Sequence, residues 1–273
     1  MPGPFGLRKP LPVSQPGVRI GSFRERRVGT TVSGSDLLEG PTTDSFWANV
    51  IALFPFNDGS AVGAPFIDLS PITGTQLAAA GLRTTTSDPK YGVSSLERPA
   101  GTGSLVSPSG LLGQTSKTIA IPANTPIAIE FWSRQPTSNV ATPILVKLDI
   151  RSGGSSAVNF DIDWRGTGGG SVWACNRNGS TLRASGSDPA PHATFRHIAF
   201  SIVQGGTGYF FVDGVQQGAS FAVAAGGGGD NCVIGFFADD TFGAGGAHRL
   251  DDLRVTLAQR YTAGFTPPPP HQR

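Results

Sequence analysis

The chain has 273 residues, of which 38% are hydrophobic and 15% are charged, and its formal net charge is +2. So small a charge predicts no binding to nucleic acid or to a membrane surface, and no apolar run is long enough to predict a transmembrane helix. The 38 glycines and 22 prolines follow no collagen-like period, as in a protein of short strands and tight turns. The N-terminus lacks the charged and apolar regions of a signal peptide, so we expect no secretion by that route.

Residues 1–41 differ in composition from the rest of the chain. Five prolines before residue 17 oppose helix formation, and apolar residues are too sparse to build a core. We interpret this segment as an extended anchoring arm that docks on neighbouring subunits, and a disordered tail is the alternative. The arm is basic, and its candidate partner-binding residues are Arg8, Lys9, Arg19, Arg24, Arg26 and Arg27.

From residue 46 onward, apolar and polar residues alternate with the period of two that is typical of β-strands. Two sets of apolar residues show this most clearly: Ile127, Ile129 and Phe131, and Val158, Phe160, Ile162 and Trp164. Glycine-rich segments and the dipeptide Asp213-Gly214 separate the apolar runs and predict loops and a tight hairpin. The pattern alone therefore predicts an antiparallel β-sandwich without a long helix.

Three segments carry recognisable motifs. Residues 46–59 combine a tryptophan, an apolar run and a closing Asp-Gly turn. Residues 195–214 form two apolar segments that end in Val-Asp-Gly, and residues 250–267 begin with Leu-Asp-Asp-Leu-Arg and continue with Arg-Tyr-Thr. In this order the motifs resemble the opening, paired central and closing strands of concanavalin A-like (laminin-G-like) domains, most closely those of phage-borne members. Phe195 stands where that family usually has tryptophan.

The resemblance implies an all-β fold, a concanavalin A-like (laminin-G-like) antiparallel jelly-roll sandwich behind an extended N-terminal arm. We expect the arm at residues 1–41, the sandwich at 42–266 and a proline-rich C-terminal tail at 267–273.

The resemblance also implies a bacteriophage virion structural protein that serves as a decoration, collar or tail-fibre module. Its arm would bind capsid or tail subunits, while the sandwich would project outward and contact host surface glycans. By analogy with other virion parts, we expect a homo-oligomer that is made in the host cytoplasm and resides in the virion. The alternative is a dedicated carbohydrate-binding adsorption module, and a polysaccharide hydrolase is a third hypothesis.

Hydrolysis of a polysaccharide would require two carboxylates, and Asp161 and Asp163 lie at positions i and i+2 on one strand face. The glucanases of this fold carry Glu-x-Asp-x-x-Glu, however, and the two glutamates are missing here. The four histidines have no metal-ligand spacing, and no Gly-x-Ser-x-Gly motif is present. We therefore predict that the chain is not an enzyme, and that Asp161 and Asp163 are either solvated or contact a glycan.

Two other sets of side chains are candidates for binding. Trp132 alternates with the apolar residues of its strand, so we expect an exposed ring that stacks on a sugar; Trp164 is expected in the core, and His197 is expected to be partly exposed. No cofactor is predicted, and the ion that the sequence would best accommodate is a structural calcium. Its candidate ligands, for which solvation or pairing with arginine is the alternative, are Asp58, Asp251 and Asp252.

The chain contains two cysteines, Cys175 and Cys232. In a chain made in the cytoplasm we expect both to remain free thiols, with a disulfide as the alternative.

Overall fold

The computed structural model describes residues 44–57, 67–72, 75–78, 83–98, 111–134, 144–167, 170–186, 194–238 and 248–269. All of these residues belong to one compact unit, Gly40–Arg273. The arm predicted for residues 1–41, with its six basic candidates, lies outside the described residues, and so does Asp58. Within the described ranges, no helix has the length and apolar character needed to cross a membrane.

The regular secondary structure of the described residues is all β-strand, apart from one turn of 3-10 helix at Trp47–Asn49. In chain order the strands are β1 (Val50–Phe54), β2 (Thr75–Ala78), β3 (Arg83–Thr85), β4 (Ser95–Arg98), β5 (Leu111–Ile121), β6 (Pro126–Arg134), β7 (Ile144–Ser152), β8 (Ser155–Thr167), β9 (Gly170–Arg177), β10 (Ser180–Ala184), β11 (Arg196–Val203), β12 (Thr207–Val212), β13 (Val215–Gln216), β14 (Phe221–Ala222), β15 (Gly229–Ala238) and β16 (His248–Thr256).

The strands pair into two antiparallel sheets. Among the described residues, sheet I has nine strands in the order β13-β12-β11-β6-β16-β4-β3, with β1 paired to β16 and β14 paired to β12. Sheet II has seven, in the order β10-β9-β8-β7-β15-β5-β2. The chain passes between the sheets after β1, β2, β4, β5, β6, β10, β14 and β15, so the two sheets belong to one sandwich. The predicted all-β, antiparallel sandwich is confirmed.

Alternate side chains of the two sheets meet in a single hydrophobic core. Ile129 and Phe131 of β6 and Phe160 and Trp164 of β8 are fully buried there, as their alternation predicted. Phe160 of sheet II and Phe200 of sheet I have ring centroids 5.9 Å apart, so aromatic contacts join the sheets. Burial of each such side chain contributes roughly 1.5–3 kcal/mol to folding.

Asp213 and Gly214 form the predicted hairpin turn between β12 and β13. Their φ angles are 51° and 76°, and positive φ at both central residues is what a type I′ turn requires. A Cβ atom on Gly214 would lie 1.8 Å from the carbonyl oxygen of Phe265. This position therefore needs glycine for space as well as for conformation.

The outer face of sheet I, directed away from the core, is covered by other segments of the same chain. Tyr261 and Phe265, from the segment after β16, stack with centroids 3.8 Å apart, and both rings pack against Phe211 of β12. Tyr91, which lies between β3 and β4, donates a hydrogen bond to the carbonyl oxygen of Pro268. Part of the predicted proline-rich tail therefore lies against the sandwich.

A buried ionic cluster lies under this layer. Glu130 of β6 accepts hydrogen bonds from Nε of Arg254 (2.8 Å) and from the hydroxyl of Tyr261 (2.6 Å). Asp44 pairs with Nη1 of Arg254 at 2.7 Å and with Nη1 of Arg260 at 3.1 Å. The charged side chains are at most 11% exposed. The cluster thus holds the segment before β1 and the segment after β16 on the same face of the sandwich.

Candidate functional site

A strip of polar side chains crosses the outer face of sheet II. It arises because alternate positions of β7, β8 and β9 point outward while their neighbours fill the core. Lys147 is the cross-strand partner of Asp161, and Asp161 is the partner of Asn176, so unlike polar groups lie side by side. We call this set of residues the polar strip: Lys147, Asp149, Arg151, Asp161, Asp163, Arg165 and Asn176.

Arg165 organises one end of the polar strip. Its Nε lies 3.0 Å from both carboxylate oxygens of Asp163, and its Nη2 donates to Oδ2 of Asp163 at 2.8 Å. Nη2 also donates to Oδ1 of Asn176 at 2.6 Å, and Nη1 donates to the hydroxyl of Thr181 at 2.7 Å. A guanidinium with so many acceptors is held in one orientation, so its neighbours are fixed as well.

The amide of Asn176 bridges the two aspartates that the sequence singled out. Its Nδ2 lies 2.5 Å from Oδ1 of Asp161 and 2.9 Å from Oδ2 of Asp163. Burial raises the pKa of Asp161, and the hydrogen bond from Asn176 and the charge of Lys147 oppose this shift. Burial also raises the pKa of Asp163, against the effect of Arg165. Oδ2 of Asp161 receives no hydrogen bond from the described residues, which leaves it as an acceptor for a ligand hydroxyl.

Asp149 holds Arg151 at the other end of the polar strip. Nε of Arg151 donates to Oδ2 of Asp149 at 2.8 Å, and the hydroxyl of Ser156 donates to Oδ1 at 2.6 Å. The side chain of Arg151 is 33% exposed and that of Asp149 is 8% exposed. Likewise, the side chain of Arg165 is 31% exposed and that of Asp163 is 4% exposed. In both pairs the carboxylate lies deep and the cationic end reaches the surface.

This arrangement suits hydrogen bonding to a polar ligand better than cleavage of a glycosidic bond. Glycosidases use one protonated carboxylic acid and one carboxylate that is free to attack or to activate water. Both oxygens of Asp163 are bound by Arg165, and the amide of Asn176 lies between the two acids. The strip instead offers fixed donors and acceptors, as ligand recognition requires.

Trp132, which was predicted to present an exposed ring, is almost buried, with 6% of its surface exposed. It lies on the outer face of sheet I, where Tyr91 contacts it edge-on at 5.6 Å and Nζ of Lys90 lies 3.9 Å from its ring centroid. The prediction of exposure is wrong because alternation shows only that the ring points away from the core. Trp132 also lies on the opposite sheet from Asp161 and Asp163, so these three residues do not form one site.

His197, predicted to be partly exposed, is fully buried in the same layer. Its ring packs against Trp132 at 5.1 Å and against Phe265 at 5.7 Å, and its Nε2 lies 3.5 Å from Oε2 of Glu130. The segment that contains Phe265 covers a strand face that the local sequence pattern assigned to solvent.

Asp251 and Asp252, two of the calcium candidates, are buried in β16. Oδ2 of Asp251 accepts hydrogen bonds from the backbone N–H groups of Lys90 (2.8 Å) and Tyr91 (3.1 Å). Burial, with the nearby charge of Asp252, raises the pKa of Asp251 to about 8. The described residues contain no group of three or more His, Cys, Asp or Glu side chains arranged to hold a metal ion. The calcium site thus stays a prediction, and Asp251 anchors the segment that covers sheet I.

Cys175 and Cys232 are free thiols in the hydrophobic core, as expected. Burial raises the pKa of both thiols, that of Cys232 to about 12. Neither cysteine is therefore suited to act as a nucleophile at neutral pH.

The sequence analysis missed the residues that hold the polar strip together. Arg151, Arg165 and Asn176 were not singled out, although each binds an aspartate of the strip. The detectable signal is the pattern Asp-x-Arg, which occurs at residues 149–151 and again at 163–165. An acid and a base two residues apart in a strand lie on the same face and can pair there.

A model of the concanavalin A-like lectin/glucanases superfamily matches residues 112–256, which is more than half of the chain. The chain belongs to this superfamily. The matched range contains the whole polar strip. A search of curated protein sequences finds no match.

Several solved structures are similar to this chain in fold. The binding domain of Paraclostridial Mosquitocidal Protein 1 has a TM-score of 0.56 and 12% identity, over 80% of this chain and 51% of that one. A botulinum neurotoxin type C structure has a TM-score of 0.54 and 10% identity, over 81% and 50%; entry of that toxin into cells depends on interaction with two ganglioside molecules. The binding domain of botulinum neurotoxin serotype G has a TM-score of 0.51 and 11% identity, over 78% of this chain and 49% of that one.

The chain matches only about half the length of each of these toxin structures. At such low identity the likeness shows the shared fold alone.

Proposed function

We propose that this chain is a non-catalytic carbohydrate-binding module. The observation that carries the proposal is the polar strip, in which guanidinium, ammonium, amide and carboxylate groups share one outer sheet face. Sugar hydroxyls both donate and accept hydrogen bonds, so a surface with fixed groups of both kinds recognises them. Groups that are already ordered lose less entropy when the ligand binds. The fold likeness to a toxin binding domain, and to a botulinum neurotoxin type C structure whose cell entry depends on gangliosides, supports the same conclusion.

The finer proposal is that the module serves on a bacteriophage particle as a decoration, collar or tail-fibre component. It is supported by the basic, proline-rich composition of residues 1–41 and by the resemblance of residues 250–267 to phage-borne domains. In this scheme the arginines of the arm bind acidic surfaces of capsid or tail subunits, and the sandwich contacts glycans of the host. Ordering of the arm costs about 1–2 kcal/mol per residue, so its contact area has to be large.

Binding is tested by applying the full chain to an array of bacterial surface polysaccharides and measuring the tightest ligand by calorimetry. We expect Asn176→Ala and Asp161→Asn each to weaken binding about tenfold, because each removes hydrogen bonds of the strip. Asp88→Asn is the matched control, since Asp88 is an exposed acid beside sheet I, and it should bind like the wild type. Circular dichroism and thermal melting confirm that each variant is folded. Equal affinities for all variants would exclude the polar strip as the site.

Hydrolysis is tested on the same polysaccharide by following the release of reducing ends. We expect none. Release by the wild-type chain that disappears in Asp161→Asn would replace the binding proposal with an enzymatic one.

The virion role is tested by quantitative mass spectrometry of purified particles from the phage that encodes the chain. We expect a copy number that matches a capsid or tail symmetry. Deletion of residues 1–40 should abolish incorporation while the glycan affinity of the isolated protein persists. Clean particles that lack the chain would refute the virion role and leave the binding proposal standing.

A further inference from the structure

The polar strip contains two cations whose hydrogen-bond donors are largely unused. The described residues provide no hydrogen-bond acceptor for the ammonium of Lys147, which has three donors. Arg151 uses only its Nε, on Asp149, so that within the described structure both terminal nitrogens of its guanidinium remain free. Both side chains belong to β7 and are partly exposed.

Arg165 provides the contrast that separates a ligand contact from a positioning residue. Its Nε, Nη1 and Nη2 are all hydrogen-bonded, to Asp163, Thr181 and Asn176. A guanidinium in this state supports the shape of the strip but has little left to offer a ligand. Lys147 and Arg151 therefore differ from Arg165 in function, although all three are basic residues of the same sheet face.

The depth of the charges favours an anionic ligand. Asp149 and Asp161 are buried, and both oxygens of Asp149 already accept hydrogen bonds, from Arg151 and Ser156. A ligand that approaches the strip meets the cationic ends of Lys147 and Arg151 before it meets a carboxylate. The free terminal nitrogens of a guanidinium match the geometry of a carboxylate or phosphate group, with which they form two parallel hydrogen bonds.

We propose that the ligand of the polar strip is an acidic glycan whose anionic groups bind Lys147 and Arg151. The inference rests on the proposed function, since it names the class of carbohydrate that the strip selects. The two residues lie four positions apart on one face of β7, so their Cα atoms are about 13 Å apart along the strand. The glycan carries two acidic groups with a comparable separation along its chain. Oδ2 of Asp161, opposite Lys147, accepts a hydroxyl of the sugar between them.

The experiment measures the affinity of the full chain for oligogalacturonates, oligosialic acid and hyaluronate oligomers, and for the methyl esters of the same oligosaccharides. Esterification removes the negative charge and keeps the sugar, so the esters are matched ligand controls. We expect at least one acid series to bind about tenfold or more tightly than its ester, and the affinity to fall as salt rises from 50 to about 500 mM.

The matched protein variants are Lys147→Gln, Arg151→Gln and the control Arg196→Gln. Arg196 is a partly exposed arginine paired with Asp213 on sheet I, so it repeats the setting of Arg151 away from the strip. Lys147→Gln and Arg151→Gln should each lose about tenfold in affinity for the acid and nearly nothing for the ester. Equal binding of acid and ester, or equal affinities in the three variants, would overturn this inference and leave a neutral-glycan module. Absence of binding to every acidic and neutral glycan would overturn the proposed function as well.

Discussion

Replacement of Glu130 by glutamine tests whether the buried ionic cluster holds the covering layer on sheet I. The side chain of Glu130 is 1% exposed and binds Arg254 through Nε at 2.8 Å and Nη2 at 2.7 Å. Its second oxygen accepts the hydroxyl of Tyr261 at 2.6 Å. Glutamine keeps the size of the side chain but removes the charge. Its amide NH₂ group also replaces one of the two oxygens that accept hydrogen bonds from Arg254 and Tyr261.

The expected loss follows from burial. Removal of one partner of a buried ion pair costs about 3–5 kcal/mol, because the remaining charge stays buried without compensation. Arg254 still faces Asp44 at 2.7 Å, so the lower end of this range applies. A loss of about 3 kcal/mol in the free energy of unfolding lowers the melting temperature of a domain of this size by roughly 6–12 °C.

The assay is denaturant unfolding followed by tryptophan fluorescence, with calorimetric melting as a second measurement. Asp88→Asn is the control, because the carboxylate of Asp88, which pairs with Arg134, is 62% exposed and such a surface pair contributes under about 1 kcal/mol. If Glu130→Gln costs no more than this control, the cluster does not hold the layer, and the reasoning from burial is refuted.

Three further predictions concern single residues. The pKa of Asp251 is raised from 3.8 to about 8, so the folded state holds the proton of this carboxyl more tightly than the unfolded state does. The free energy of unfolding should therefore fall as pH rises from 4 to 8. Thermal melts across this range should show a smaller decline for Asp251→Asn. Gly214→Ala should destabilise by more than about 2 kcal/mol in urea unfolding, whereas Gly153→Ala, which has positive φ but no atom within 4 Å, should cost about 1 kcal/mol. Cys175 and Cys232 should react with a thiol reagent only when denaturant unfolds the protein, and fast reaction of either in the native state would contradict their burial.

The sheets were predictable from the sequence because burial on one strand face leaves a period-two pattern. Phe160 and Trp164 alternate with Asp161 and Asp163, and the structure places the first pair in the core and the second on the outer face. The motifs at residues 46–59, 195–214 and 250–267 then predicted, through family resemblance, which segments are the opening, central and closing strands.

The covering layer was not predictable by the same reasoning. Alternation correctly assigned Trp132 and His197 to the outer face of sheet I. The error was to assume that a side chain on the outer face is exposed to solvent. Tyr91 and Phe265 cover them from segments distant in the chain, which no local period reveals. Lys117 illustrates a similar limit: it points inward from β5 and pairs with Asp68, so a charge occupies a core-facing position of the strand.

The candidate site was only half predictable, for a chemical reason. Asp161 and Asp163 attracted attention as a carboxylate pair, which is a pattern associated with catalysis. Their role depends on which partners bind them: Arg165 lies two positions from Asp163 on β8, but Asn176 comes from the neighbouring strand β9. Pairing between strands depends on register, and register is fixed by the whole sheet rather than by the neighbouring sequence.

The ionic cluster on sheet I also has a consequence for where a bound ligand would lie. Asp44, before the first strand, and Arg260, after the last one, are 3.1 Å apart at their nearest atoms. The segment that precedes β1 and the segment that follows β16 are therefore joined on one face, and the polar strip lies on the other sheet. A ligand bound at the polar strip would therefore lie on the side of the sandwich opposite the ionic cluster that joins the segments flanking its first and last strands.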